Sequence, residues 1–240
     1  MSEYFFYVAH RGSGQNGNGV SAIDPGTGQV AATIALGAPR VRGLVAAPGG
    51  KRLYALVEDR VEIRVIDLEA SAVVGSIDVD MKESWDEVNS LAISADGGRL
   101  FAGRRYAISE IDTKTGKTVR TFEDISYGVD SLAPSRDGKY LYVGSGTEVL
   151  KFDLATGKRT ASHSLNGLIA MVLVSPDGSR VYAATQDPSP FSSRGAGVFA
   201  LDSGSLAKTA EMDDDFLSGR GASVASLPDG KQLLVQLYGE

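Results

Sequence analysis

The chain has no cysteine. That excludes disulfides and thiolate-held metals. It leaves the compartment open, because many periplasmic proteins also lack disulfides. Histidine is scarce, with only His10 and His163, so no metal-ligand constellation forms and no metal site is expected. Positive charge is in deficit: 24 Lys and Arg stand against 30 Asp and Glu, a net charge of −6. Such a chain is a poor generic partner for nucleic acid or an anionic membrane. No apolar run approaches the length that spans a bilayer, so membrane insertion is not expected. Met1 to Val8 has neither a basic n-region nor a long apolar h-region. As written the chain reads as cytoplasmic; a periplasmic or extracellular protein stripped of its signal peptide would read the same. Asn-x-Ser/Thr acceptors are absent, and so is any helical apolar stripe of useful length.

What the chain does have is repetition. An apolar strand ending in aspartate recurs five times, at Asp24, Asp67, Asp112, Asp153 and Asp202, spaced 41 to 49 residues apart. Between these copies lies a tight turn feeding a strand, as in Asp96-Gly97-Gly98, Asp137-Gly138-Lys139 and Pro176-Asp177-Gly178. A repeat of that length made only of strands predicts an all-β fold, a β-propeller of four-stranded antiparallel blades with about five repeats. The 240 residues are expected to form one domain. Each repeat reads as strands a to d. Strand a is small and apolar, b is aromatic and β-branched, c ends at the repeated Asp, and d is the polar outer edge. The repeated aspartates are expected to cap backbone N–H groups in the c–d turns, because five residues at five equivalent turns cannot converge on one site.

Two stretches carry a family resemblance. Val20-Ser21-Ala22-Ile23-Asp24 through Ile34, and Val174-Ser175-Pro176-Asp177-Gly178, are similar to the repeat of YVTN-type β-propellers. The resemblance covers nearly the whole chain. It implies the propeller fold and says little about function. Related propellers include heavy subunits of quinoprotein amine dehydrogenases, where the propeller scaffolds a smaller catalytic subunit and the redox cofactor lies elsewhere. Surface-layer proteins are also among them. No cofactor is expected here.

Strand accounting predicts 21 strands: b, c and d first, then four complete repeats, then a final a and b. A five-bladed ring needs 20 and would join the last a strand to the first b, leaving one strand surplus. The alternative is part of a larger propeller. Unclosed sheets leave edges that invite pairing, so an oligomer through open blade edges is a second expectation.

The a–b and c–d turns are short and share one face. The b–c loops and d–a crossings share the other. Every long insertion falls on that second face, at 10–19, 80–87, 186–197 and 211–221. Binding residues favour such irregular loops on a regular scaffold. The candidates there are Trp85 with Asp86, Phe191 with Arg194, the pair Arg104-Arg105, and Arg220. His10 and Arg11 end the first b strand, where His10 could act as a general base. One register of strand a reads Arg42, Asn89, Asp130, Ala170 and Ala222, which sets Arg42 and Asp130 at the channel mouth to hold a polar ligand or each other. Two patterns are set aside. Gly12-Ser13-Gly14-Gln15-Asn16-Gly17 matches a dinucleotide fingerprint, but a strand follows it instead of the required helix. Asp213-Asp214-Asp215 lacks the alternating oxygens of a calcium loop.

The leading expectation is a non-enzymatic propeller that binds a small ligand or a partner protein with its long-loop face. An enzyme or enzyme subunit comes second, as an amine-dehydrogenase-like scaffold or a lactone or glycoside hydrolase. A structural or surface-layer fragment comes third. Fold alone does not separate them.

Overall fold

The computed structural model describes residues 5–10, 19–38, 40–57, 62–79, 87–186, 197–212, 221–227 and 232–238. All regular structure among them is β. No helix there is long and apolar enough to cross a membrane.

Twenty-one strands form antiparallel sheets in chain order. The first blade holds β1 (Phe6–His10), β2 (Gly19–Ile23) and β3 (Val30–Ala35). The second holds β4 (Val41–Ala46), β5 (Arg52–Val57), β6 (Glu62–Asp67) and β7 (Ala72–Asp78). The third holds β8 (Val88–Ile93), β9 (Arg99–Arg104), β10 (Ile108–Asp112) and β11 (Thr118–Phe122). The fourth holds β12 (Val129–Pro134), β13 (Tyr140–Ser145), β14 (Glu148–Asp153) and β15 (Arg159–Ser164). The fifth holds β16 (Leu168–Val174), β17 (Arg180–Gln186), β18 (Val198–Asp202) and β19 (Lys208–Met212). A hairpin of β20 (Gly221–Ser226) and β21 (Leu233–Tyr238) follows. This is a β-propeller fold of about five blades, with the predicted strand count.

Packing explains why the blades stack. Each strand shows one face to the blade before and one to the blade after. The buried side chains therefore fall into cores between blades. Val20, Ile34 and Leu36 meet Leu53, Ala55 and Val57 between the first and second blades. Phe101, Ile108 and Phe122 meet Leu141, Leu150 and Phe152 between the third and fourth. There the Phe122 and Phe152 rings stand edge to face, 5.5 Å apart. Strands β4, β8, β12, β16 and β20 pack on one another in succession, so strand a of each blade is innermost. Small residues set that approach. A Cβ on Gly103 would lie 2.4 Å from Val129 Cγ1 of the next blade, and one on Gly144 would lie 2.5 Å from Ile169 Cγ2.

The repeat turns obey one chemistry. Asp112 Oδ1 accepts from the backbone N–H of Thr115 (2.8 Å) and from its hydroxyl (3.0 Å). Asp153 does the same with Thr156, and Asp202 with Ser205. Asp24 and Asp67 accept from Gly26 and Ala70. The repeated aspartates are therefore c–d turn caps, as expected. The a–b turns add a Ser-x-Asp-Gly device. Ser135 and Ser175 hydroxyls donate to Asp137 and Asp177 at 2.6 Å, and Ser94 pairs with Asp96 likewise. The glycine after each Asp takes positive φ, 69° at Gly138 and 74° at Gly178, a conformation that costs other residues strain.

The chain ends differ from a closed five-bladed ring. That ring would seat β20 beside β1. Instead β20 pairs with β21 over six residues, and Gly221 touches Gln186 at the end of β17. Among the described residues no strand pairing joins β20 or β21 to β1, and no apolar core links that hairpin to the first blade. The apolar residues Phe6 and Val8 on β1, like Leu234 on β21, are exposed.

Candidate functional site

The mouth of the central channel on the long-loop face is shaped by a repeated irregularity. In the second to fifth blades, strand a carries a β-bulge near its start. The register slips at Val41/Gly43, Val88/Ser90, Val129/Ser131 and Ile169/Met171. The residues left over are Arg42, Asn89, Asp130 and Ala170. These are four of the five positions that the sequence register groups together. A bulge frees a residue from the ladder and re-aims its side chain, which is why bulges gather near sites. At Ala222 the register runs without a slip.

The polar members are not equivalent. Arg42 Nη1 donates to Asn89 Oδ1 (3.2 Å) and lies 3.4 Å from Glu87 Oε2, bridging the second and third blades. The pairing of Arg42 with Asp130 anticipated from sequence gives way to this nearer pair. Asp130 makes no hydrogen bond or ion pair among the described residues. It is solvent-exposed, yet protein around the mouth displaces part of its hydration and pushes its carboxyl above the ordinary range. Carboxyls whose titration is shifted by their surroundings gather at functional sites.

Other candidates are placed differently. Arg104 is only 2% exposed, enclosed at the end of β9, so it does not project from the face with Arg105. His10 ends β1 with its Nε2 buried and without a hydrogen bond. Arg11, Trp85, Asp86, Phe191, Arg194 and Arg220 lie outside the described residues, as do most residues of the four long loops. Among the described residues no group of three or more His, Asp or Glu could hold a metal ion.

A second concavity lies on the opposite, short-turn face. A cleft of about 520 Å³ opens between the third and fourth blades. Phe101, Tyr140 and Leu154 line it, and Glu110 forms its polar wall. Glu110 is 4% exposed on β10, two residues before the repeated Asp112. Its Oε1 accepts from Arg99 Nη1, and its Oε2 lies 3.5 Å from Arg120 Nε without a hydrogen bond. Arg120 in turn donates to the carbonyl oxygens of Leu154 (2.6 Å) and Ala155 (3.5 Å) on the next blade. One blade on, Lys151 occupies the same register, two before Asp153. It donates to Gly204 O (2.8 Å) and sits 3.9 Å over the Tyr140 ring. Burial pushes its ammonium below the ordinary lysine range. The cleft was not anticipated from sequence. Its signal was a charge at a c-strand position where the other blades carry Ala22, Val65 and Ala200.

No family model and no curated protein sequence matches the chain. Among solved structures, hydrazine synthase of Kuenenia stuttgartiensis superposes over 91% of this chain and 67% of that one, with a TM-score of 0.79 and 21% identity. At that identity the likeness is one of fold.

Proposed function

We propose that this is a non-enzymatic, YVTN-type propeller that binds a small polar ligand or a partner protein on its long-loop face, at the channel mouth. The observation that carries the reading is Asp130. A bulge sets it free of the ladder at the innermost strand, and its carboxylate has no partner among the described residues. A ligand or partner side chain that brings an ammonium, guanidinium or hydroxyl donor would satisfy it. Arg42, Glu87 and Asn89, bridged across two blades, supply a polar rim beside it. Trp85 and Phe191, placed on this face by sequence, supply aromatic anchors of the kind that dominate binding energy.

The test is affinity capture from the native lysate with quantitative mass spectrometry of retained proteins and small molecules. Asp130→Asn, and Trp85→Ala combined with Phe191→Ala, should each reduce the retained species at least fivefold against wild type. Retention unchanged in both variants contradicts the reading.

A further inference from the structure

We infer that Asn166–Gly167, in the crossing from the fourth blade to the fifth, is a self-modification site: the asparagine amide is lost through a succinimide, and an aspartyl or isoaspartyl carboxylate takes its place.

The chemistry needs a side-chain carbonyl beside a backbone N–H that is free to attack it. Four Asp-Gly or Asn-Gly pairs lie among the described residues. Three of them are closed. In the a–b turns the Gly97 N–H donates to Ser94 O (2.9 Å), the Gly138 N–H to Ser135 O (3.1 Å) and the Gly178 N–H to Ser175 O (2.9 Å). The serine hydroxyls also hold Asp96, Asp137 and Asp177 ionised, below the ordinary carboxylate range. A carboxylate anion repels an anionic nucleophile.

The fourth pair is open. Asn166 is exposed and makes no hydrogen bond among the described residues, and the Gly167 N–H finds no acceptor there. Anchors stand on either side of the pair. The Leu165 N–H donates to Thr147 O (2.8 Å), and the Ile169 N–H donates to Gly146 O (2.7 Å). The fold requires the glycine and not the asparagine. Gly167 takes a φ of 103°, and a Cβ on it would lie 3.1 Å from both Gln186 O and Thr185 Cβ. The Asn166 side chain caps nothing. Asn89 is the described contrast: it precedes Ser90, and its Oδ1 accepts from Arg42. Asn16 and Asn18 also precede glycines and lie outside the described residues.

Hydroxide removes the Gly167 N–H proton, and the nitrogen attacks Asn166 Cγ. The N–Cγ bond forms, the Cγ–Nδ2 bond breaks, and Nδ2 leaves as ammonia with a proton from water. A water molecule then opens the ring. Attack at Cγ gives aspartate. Attack at the main-chain carbonyl gives isoaspartate, with the backbone rerouted through Cβ and Cγ. Either product adds one negative charge to the long-loop face, four residues before Ala170 of the mouth register.

The test incubates the full chain in mildly alkaline buffer made with heavy-oxygen water, once folded and once unfolded in urea. Tryptic peptides are followed by mass spectrometry: peptide 160–180 carries Asn166, and peptide 83–99 carries Asn89. Fragment ions should place the heavy oxygen at residue 166 and not at Asp177. Part of the product should accept a methyl group from an isoaspartate-specific methyltransferase. Folding should slow the reaction less than about tenfold at Asn166 and more than about tenfold at Asn89. Asn166→Gln lengthens the side chain beyond five-membered ring closure, so label should vanish from residue 166 while the melting temperature stays within a few degrees of wild type. The inference is overturned if residue 166 gains no label in the folded chain, if folding protects Asn166 as strongly as Asn89, or if Asp177 labels faster than residue 166.

Discussion

The two faces of the blade stack begin from the same strands and end differently. On the short-turn face the chain reverses within a few residues each time, and Asp112, Asp153 and Asp202 repeat one capping geometry. On the long-loop face the connections run from two residues, between β13 and β14, to eleven, between β17 and β18, and the innermost strands start there through bulges that release Arg42, Asn89 and Asp130. The difference separates two kinds of carboxylate. Turn aspartates are surrounded by donors and are held below the ordinary range, Asp177 at about 2 chiefly by the Ser175 hydroxyl. Asp130 accepts no hydrogen bond among the described residues and is pushed the other way by partial loss of hydration.

Regularity of a face does not make it uniform. The cleft lies on the regular face because one c-strand position varies within the blades. Lys151 and Glu110 hold the same register, yet Lys151 finds a carbonyl and an aromatic ring on its neighbours. Glu110 instead is enclosed between Arg99 and Arg120 of its own blade.

The scaffold common to both faces should show the largest effect of any change. Gly103→Ala forces a Cβ against Val129 and Ser90. Overpacking of that kind costs about 1–3 kcal/mol. For a chain of this size about 2–4 °C of melting temperature is lost per kcal/mol, readable by calorimetry. Next comes the turn face. Ser175→Ala removes the hydroxyl that donates to Asp177 and accepts from the Arg180 N–H. The expected loss is about 1 kcal/mol, with a similar loss at Ser135→Ala, because the two turns share one geometry. Unequal losses would break the claim of repeated turn chemistry.

Acid titration sharpens the contrast between carboxylates. The folded-state values of Asp96, Asp112, Asp137, Asp153, Asp177 and Asp202 all lie below their ordinary value of 3.8. Their contribution is therefore complete above about pH 4 and is lost as pH falls toward 2. Asp177→Asn should flatten that part of the urea-midpoint-versus-pH curve. Asp130 has the opposite sign. Its raised value favours the protonated form in the folded state, so its charge destabilises the fold as pH rises past the titration. Asp130→Asn should leave stability equal or slightly higher at pH 7, by no more than about 0.5 kcal/mol, with the difference vanishing at pH 3. A clear loss at pH 7 would mean that Asp130 has a structural partner.

Much of the fold was legible in the residues. Short-range turn chemistry announces itself at fixed spacing, so the Asp-Gly turns, the capping aspartates and the 21 strands could be read along the chain. The channel-mouth register was legible for the same reason, since Arg42, Asn89, Asp130 and Ala170 sit at equal distances from equivalent turns. The bulges that expose them were not legible, because a bulge depends on pairing with β5, β9, β13 and β17. The partner of Arg42 was misjudged because its reach to Glu87 and Asn89 depends on how adjacent blades meet. Arg104 looked like surface charge beside Arg105, but Arg104 is the last residue of β9, a strand enclosed on both faces from Leu100 onward, and Arg105 lies past the strand's end. The Glu110 cleft was illegible for a further reason. Arg99, Glu110 and Arg120 meet through the register of β9, β10 and β11 within the third blade, and only stacking of the fourth blade adds Arg136.

The central claim is that the channel mouth on the long-loop face binds a ligand or partner through Asp130. The most direct measurement compares the species retained from native lysate by wild type, Asp130→Asn and Arg136→Ala, each shown by calorimetry to be folded. The account predicts retention lost at least fivefold in Asp130→Asn and unchanged in Arg136→Ala. Equal retention by wild type and Asp130→Asn would contradict it.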